Sequence, residues 1–283
     1  MRVVLIGADG QLGTDLSRVL KKEDLVPLTI SDLDVTDLAA VEKKMSEISP
    51  DVIIDTAAFH NVDVCEKEAK KALAVNALGP KHLAQSSKAK LVFISTDYVF
   101  DGEKGSPYLE NDPVSPRSAY GISKVAGEQF VRYLNPRHFI VRVSSLFGTA
   151  GCMGKGGGNF VETMLRLGRE KEEVKVVSDQ VSSPTYTVHA AKKILQLIGT
   201  DHFGTFHVTN SGECSWYQFA GRIFDLAKLK AKLVSITSDE WKAPAHRPKY
   251  SVLRHGALAS LKMDDMPKWE DAAAEYMKER GSV

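Results

Sequence analysis

The first thirteen residues restrict the fold more than any other stretch. Arg2-Val3-Val4-Leu5-Ile6 is a short apolar run, the pattern of a strand covered on both faces of a parallel sheet. Gly7-Ala8-Asp9-Gly10-Gln11-Leu12-Gly13 follows at once, and the periodicity after it predicts an amphipathic helix to about Lys22. The spacing is GxxGxxG, the dinucleotide-binding GxGxxG with its second glycine one position later. Glycine permits the tight turn and close backbone approach, while the helix N-terminus can hold a pyrophosphate. An ordinary glycine-rich strand-to-helix turn is the alternative. Strand, turn and helix at the chain start favour a cofactor crevice and an α/β fold with a doubly wound parallel sheet.

A second strand is expected over residues 25–30, followed by Ser31-Asp32-Leu33-Asp34-Val35-Thr36-Asp37. An acid directly at this strand end would bind the adenosine ribose and favour NAD. Ser31 holds that approximate place, with Asp32 next and no arginine nearby for a 2′-phosphate, so both NAD and NADP stay open. Asp37 is suited to cap the next helix. Asp51-Val52-Ile53-Ile54-Asp55 reads as the third strand, and Thr56-Ala57-Ala58-Phe59 after it is small enough for a cofactor to cross the strand ends. Asn76 interrupts the apolar pattern of Leu73, Val75 and Leu78, either as a solvated amide or as a buried one bridging to the third or fourth strand.

The chemistry concentrates in residues 95–124. Leu91-Val92-Phe93-Ile94 is a buried strand ending at Ser95-Thr96, and Tyr120-Gly121-Ile122-Ser123-Lys124 opens a predicted helix. Four residues apart, Tyr120 and Lys124 share one helix face. A cation beside a phenol is expected to lower its pKa from roughly 10, and a hydroxyl such as Thr96 can orient a substrate carbonyl. This set suits carbonyl reduction or alcohol oxidation beside a hydride carrier. YxxxK also occurs by chance on surface helices; the N-terminal glycines favour the catalytic reading.

Net charge is +1, from 37 basic and 36 acidic residues mixed throughout, which gives no footprint for nucleic acid or an acidic membrane. No apolar run approaches the ~18 residues of a membrane span. Cys65, Cys152 and Cys214 are scattered, without metal spacing, and fit a reduced cytoplasm. The histidines likewise show no metal spacing. Trp216, Trp241 and Trp269 read as packing anchors.

Gly7–Gly13, Thr56-Ala57-Ala58, Ser95-Thr96-Asp97-Tyr98-Val99-Phe100-Asp101-Gly102 and Tyr120-Gly121-Ile122-Ser123-Lys124 together resemble the extended short-chain dehydrogenase/reductases. Within them the likeness is to the dTDP-4-dehydrorhamnose reductases, and it continues through Asn159-Phe160-Val161, Ser178-Asp179-Gln180, Pro184-Thr185 and Arg247-Pro248. The resemblance implies a Rossmann-type core with a smaller C-terminal α/β substrate-binding lobe. The core would take roughly residues 1–145 plus 174–210, and the lobe roughly 146–173 plus 211–283, with a strand at 174–177 completing the sheet. It also implies that Thr96, Tyr120 and Lys124 are catalytic. Gly7, Gly10, Gln11, Leu12, Gly13, Asp34, Val35, Ala57, Ala58, Asn76, Tyr120 and Lys124 would hold NADP or NAD, with NADPH the favoured form. Asp97 and Tyr98 would face the sugar, and Arg247 would grip the substrate pyrophosphate.

The implied reaction is reduction of the C4 keto group of a nucleotide-diphospho-6-deoxy-4-ketosugar, with dTDP-4-dehydro-L-rhamnose the favoured substrate. Nucleotide-sugar 4,6-dehydratases need an acid pair after the threonine, and Asp97-Tyr98 leaves that pair incomplete. Relatives commonly place a tryptophan where Ser145 aligns, which leaves a reductase of another nucleotide sugar open. Residues 151–158, rich in glycine, are expected to form a mobile loop over the site. A homodimer is the assembly that relatives suggest. The rival from another class is a cofactor-binding regulatory subunit resembling the methionine adenosyltransferase β-subunit.

Overall fold

The computed structural model describes residues 1–151 and 158–281; the loop expected over the site falls almost wholly outside them. The elements run β1 (Arg2–Ile6), α1 (Gln11–Val19), β2 (Asp24–Leu28), α2 (Leu38–Ile48), β3 (Val52–Asp55), α3 (Val62–Lys67) and α4 (Ala69–Leu73). A π-helical turn at Ala74–Leu78 leads to α5 (Gly79–Ser86), β4 (Lys90–Thr96), a 3-10 turn at Asp97–Val99, α6 (Ala119–Leu134), β5 (His138–Val143) and β6 (Leu146–Phe147). Then come α7 (Phe160–Glu170), β7 (Glu173–Val177), β8 (Val181–Ser182), β9 (Thr185–Tyr186), α8 (Thr187–Ile198) and β10 (Gly204–His207). The chain closes with β11 (Cys214–Ser215), α9 (Trp216–Ala227), β12 (Lys232–Ile236), α10 (Ser238–Trp241), α11 (Gly256–Ser260) and α12 (Trp269–Glu279).

Six parallel strands form the central sheet in the order β2-β1-β3-β4-β5-β10. Alternate side chains of β1 explain its continuous apolar run. Val3 and Leu5 pack with Leu16 and Ile194 of α1 and α8 on one face, whereas Val4 and Ile6 join Val41, Met45 and Leu83 of α2 and α5 on the other. Each such fully buried side chain contributes about 1.5–3 kcal/mol, so the doubly wound layering follows from strands that have no polar face. A third core lies in the lobe, where Val161, Leu165, Phe219, Ile223, Trp269 and Tyr276 bring α7, α9 and α12 together.

The strand expected to complete the central sheet does not do so. β7 pairs in parallel with β12 in a separate two-stranded sheet, and β10 takes the outer place beside β5. The reason is visible in β7 itself, where Glu173 and Lys175 alternate with buried Val174 and Val176; a strand with one wet face belongs outside a sheet covered on both. The tryptophans divide as well: Trp269 is buried and Trp216 packs on the lobe core, but Trp241 is 57% exposed and anchors nothing.

Candidate active site

The winding direction of the sheet reverses between β1 and β3, and in open α/β sheets ligands bind in the crevice beyond the strand ends at such a point. Gly7 (φ 75°) leaves β1 there in the left-handed region; a Cβ would sit 2.8 Å from Thr56 Oγ1. Thr56 donates in return to the carbonyls of Ile6 (2.7 Å) and Gly7 (3.1 Å), joining the two strand-end turns. A Cβ on Gly13 would lie 2.1 Å from the Gly7 carbonyl oxygen, so α1 packs on the turn as closely as backbone allows. Gly10 is the N-cap of α1 and no side chain caps that helix end, which leaves its first N–H groups available to an anion.

The other expected cofactor residues fall into three groups. Ala57 and Ala58 are half-buried at the β3 exit. Asn76 is fully buried and clamps that exit: its amide accepts from Phe59 N (2.8 Å) and donates to Phe59 O (2.9 Å) and Ser123 Oγ (3.0 Å). Leu12 and Val35, by contrast, are core side chains, so only their backbone can serve a ligand. Asp34 is exposed and accepts from Thr36 N and Oγ1 at 2.9 and 2.8 Å, holding its own turn.

Among the described residues, two buried acceptors here have no protein partner, Gln11 Oε1 and Asp55 Oδ2. Buried polar atoms are nearly always satisfied, so this pair fits a bound group that brings hydrogen-bond donors. Together with the glycine cradle they suit a dinucleotide.

The reacting side chains converge at the end of β4. Ser118 caps α6 by accepting from Gly121 N (3.2 Å). Gly121 presses the helix onto the turn after Thr96, where a Cβ would meet the Tyr98 carbonyl at 2.3 Å. This packing sets the Tyr120 ring edge-on to Tyr98, centroids 5.8 Å apart. One turn on, Lys124 is 2% exposed; its Nζ donates to the Ile94 carbonyl (2.8 Å) and lies 4.6 Å above the Phe93 ring.

Burial lowers the Lys124 pKa to about 8, against the charges of Asp55 and Glu128, which hold it up. Asp55 is its counterpart, raised by burial to about 6 and restrained by Lys124. The expectation of a Tyr120 acidified by Lys124 is not met. Burial drives the Tyr120 pKa upward, and what opposes it is a hydrogen bond with Thr96. Tyr120 is therefore a neutral phenol at physiological pH, a proton donor ready for a reduction.

Two residues expected on the substrate are engaged elsewhere. Asp97 is 3% exposed and its carboxylate faces three hydroxyls, those of Thr96, Ser144 and Ser251. Arg247 makes a two-pronged ion pair with Asp63 of α3 (3.1 and 2.8 Å), which holds that carboxyl below its ordinary range. A guanidinium fits a carboxylate as well as it fits a phosphate, and Asp63 lies 184 residues away in sequence. Beside it, Pro248 packs on Gly102 (φ 82°), where a Cβ would come within 2.6 Å of Pro248 Cα. Ser144, Ser251 and Asp63 gave no sequence signal. Asp55 did: a carboxylate ending an otherwise apolar strand is costly unless it has work there.

A dinucleotide crevice at the reversal of a doubly wound sheet, with threonine, tyrosine and lysine gathered beside it, defines the class: a nicotinamide-dependent oxidoreductase of the short-chain dehydrogenase/reductase type. Within that class, residues 1–281 match the model of the RmlD substrate binding domain, and the chain belongs to that family. It is similar to the crystal structure of a dTDP-4-dehydrorhamnose reductase from Clostridium acetobutylicum, at 44% identity and TM-score 0.94, covering 98% of this chain and 99% of that one. The dTDP-4-dehydrorhamnose reductase of Bacillus anthracis in complex with NADP is similar at 43% identity and TM-score 0.94, over 98% and 99% of the two chains. A spore coat polysaccharide biosynthesis protein, SpsK of Bacillus subtilis, is 40% identical over 100% of this chain and 99% of its own.

Proposed function

We propose that the protein reduces the C4 keto group of dTDP-4-dehydro-L-rhamnose to give dTDP-L-rhamnose. The observation that carries this reading is the buried set at the end of β4 beside the dinucleotide crevice, where the Tyr120 ring stands edge-on to Tyr98 and Lys124 is fixed by the Ile94 carbonyl. Relatives named dTDP-4-dehydrorhamnose reductase, similar over nearly their full length, support it and lend nothing to the regulatory-subunit alternative.

The nicotinamide dinucleotide supplies the hydride when bound. Gly7, Gly10 and Gly13 give its pyrophosphate close access to the α1 N-terminus, and Gln11 and Asp55 offer acceptors. Tyr120 keeps a proton at its phenol oxygen for the sugar oxygen, and Thr96 sets the direction of that proton. Lys124, fixed by the Ile94 carbonyl, places a positive charge under the site. NADPH is the reading for the cofactor, supported by the NADP complex of the B. anthracis relative and the absence of an acid directly at the end of β2. We assign the protein to the cytoplasm; among the described residues no helix is long and apolar enough to cross a membrane. A homodimer is its proposed assembly.

Label transfer tests the reaction. With C4-deuterated reduced cofactor and dTDP-4-dehydro-L-rhamnose, the sugar product is expected to carry deuterium on C4, and to form faster from NADPH than from NADH. Binding of reduced cofactor without labelling of any 4-keto sugar would move the reading to the regulatory subunit.

A further inference from the structure

Glu128 lies one helical turn beyond Lys124 on α6 and is wholly cut off from water. Its Oε1 accepts from Ser95 Oγ (2.6 Å) and Arg142 Nε (2.8 Å), and its Oε2 from Arg142 Nη2 (2.7 Å) and Arg132 Nη2 (3.3 Å). Arg142 is 1% exposed, so this is a two-pronged ion pair in the core. Such a pair is a poor way to stabilise a fold, because desolvation offsets the attraction and apolar residues of similar volume serve as well. What it provides in their place is direction, since fork and carboxylate meet in one plane.

The direction is given to the parts that hold the reacting groups. Ser95 immediately precedes Thr96 and stands opposite Arg142 in the pairing of β4 with β5. One residue earlier, the Ile94 carbonyl receives Lys124 Nζ (2.8 Å). Two side chains of α6, a turn apart, thus reach two consecutive residues of β4, and together they fix the helix along its axis and about it. Arg142 carries the same hold further. Its Nη1 donates to the Glu110 carbonyl (3.2 Å), and its guanidinium carbon lies 5.1 Å from the centre of the Phe100 ring, just past the turn of Tyr98.

We propose that Glu128 and Arg142 are a positioning pair of the reduction: their buried fork sets the helix bearing Tyr120 and Lys124 against the strand end bearing Thr96. The proposal rests on the reductase reading. At 0% and 1% exposure neither side chain can touch substrate or cofactor, so both act through the residues they hold.

Two variants test it, with kcat counted per NADPH-binding site so that unfolded protein does not enter. Glu128→Gln keeps the volume and an acceptor for Ser95 but breaks the fork. Its kcat per site is expected to fall about 10- to 100-fold, while the Kd for NADPH, read by fluorescence titration, stays within about three-fold of wild type. Glu128→Met combined with Arg142→Met removes both charges together and leaves neither partner as a lone buried charge, so the fold is expected to persist without its directional contacts. The same fall in kcat at a wild-type melting temperature supports positioning. Wild-type kcat per site in that folded double variant would overturn the proposal, as would a Glu128→Gln whose NADPH affinity falls as far as its kcat.

If neither variant folds, Ser95→Ala decides in their place, since it removes one donor to Glu128 and no charge. A several-fold loss of kcat per site supports the proposal, and wild-type kcat refutes it. A folded wild type that binds NADPH but turns over no 4-keto sugar is a separate result, since it removes the reductase reading on which the proposal stands.

Discussion

Asp55 and Lys124 set the pH behaviour of the site. Burial works against both charges, and each keeps the other closer to its ordinary state. The signs are opposite: the carboxyl is raised to about 6 and the ammonium lowered to about 8. Between these values both are charged. Removing the negative charge in Asp55→Asn withdraws support from the ammonium, so the Lys124 pKa drops further. The alkaline limb of kcat/KM is therefore expected to move to lower pH in Asp55→Asn. A pH–rate profile of the two proteins checks this, and an unmoved limb or one displaced upward would refute it. Thr96, Tyr120 and Lys124 were legible in the sequence because their relation is local, a strand end and one helix turn. The direction of the Asp97 carboxylate was not, because it is decided by Ser144 and Ser251, which are 47 and 154 residues away. The Tyr120 expectation failed for a related reason. Sequence displays the neighbouring lysine but not the burial that outweighs it.

Among the elements, α6 matters most for the chemistry, and its placement depends on glycines. Gly121 meets the Tyr98 carbonyl, and Gly127 meets the carbonyl of Asn76, where a Cβ would lie 2.3 Å away in both cases. Behind the site, fully buried Glu128 receives Arg142 Nε (2.8 Å) and Nη2 (2.7 Å), and Ser95 Oγ (2.6 Å), tying α6 to β4 and β5. Gly121→Ala is expected to push the first turn of α6 outward, lowering stability by about 1–3 kcal/mol and reducing kcat more than cofactor affinity. Denaturant titration and steady-state kinetics check both parts; unchanged stability would contradict the close approach. The same glycine was visible in the sequence only as a spacer between Tyr120 and Lys124. For β7 the signal was present in Glu173 and Lys175, whose alternation with valines marks a half-exposed strand. The expectation took residues 174–177 only as a short strand and placed it in the central sheet instead.

The described residues hold a doubly wound core and a second apolar centre around α7, α9 and α12, and a C-terminal segment is fastened at the rim of the site. Three fastenings lie side by side there: Asp63 with Arg247, Gly102 with Pro248, and Asp97 with Ser251. Their C-terminal partners fall within residues 247–251, so one short segment closes the wall next to Tyr98. The sequence displayed Arg247-Pro248 as a basic turn; only the fold reveals that its partners are a carboxylate and a glycine far upstream. The central claim is that Tyr120 delivers the proton in a reductase, and one assay bears on it most directly. NADPH oxidation is followed with dTDP-4-dehydro-L-rhamnose for wild type and Tyr120→Phe, which keeps the ring and removes only the hydroxyl. The expected result is wild-type turnover and a loss of kcat of about 10²–10⁴-fold in the variant, with NADPH still bound. Turnover by Tyr120→Phe at the wild-type rate would contradict the account.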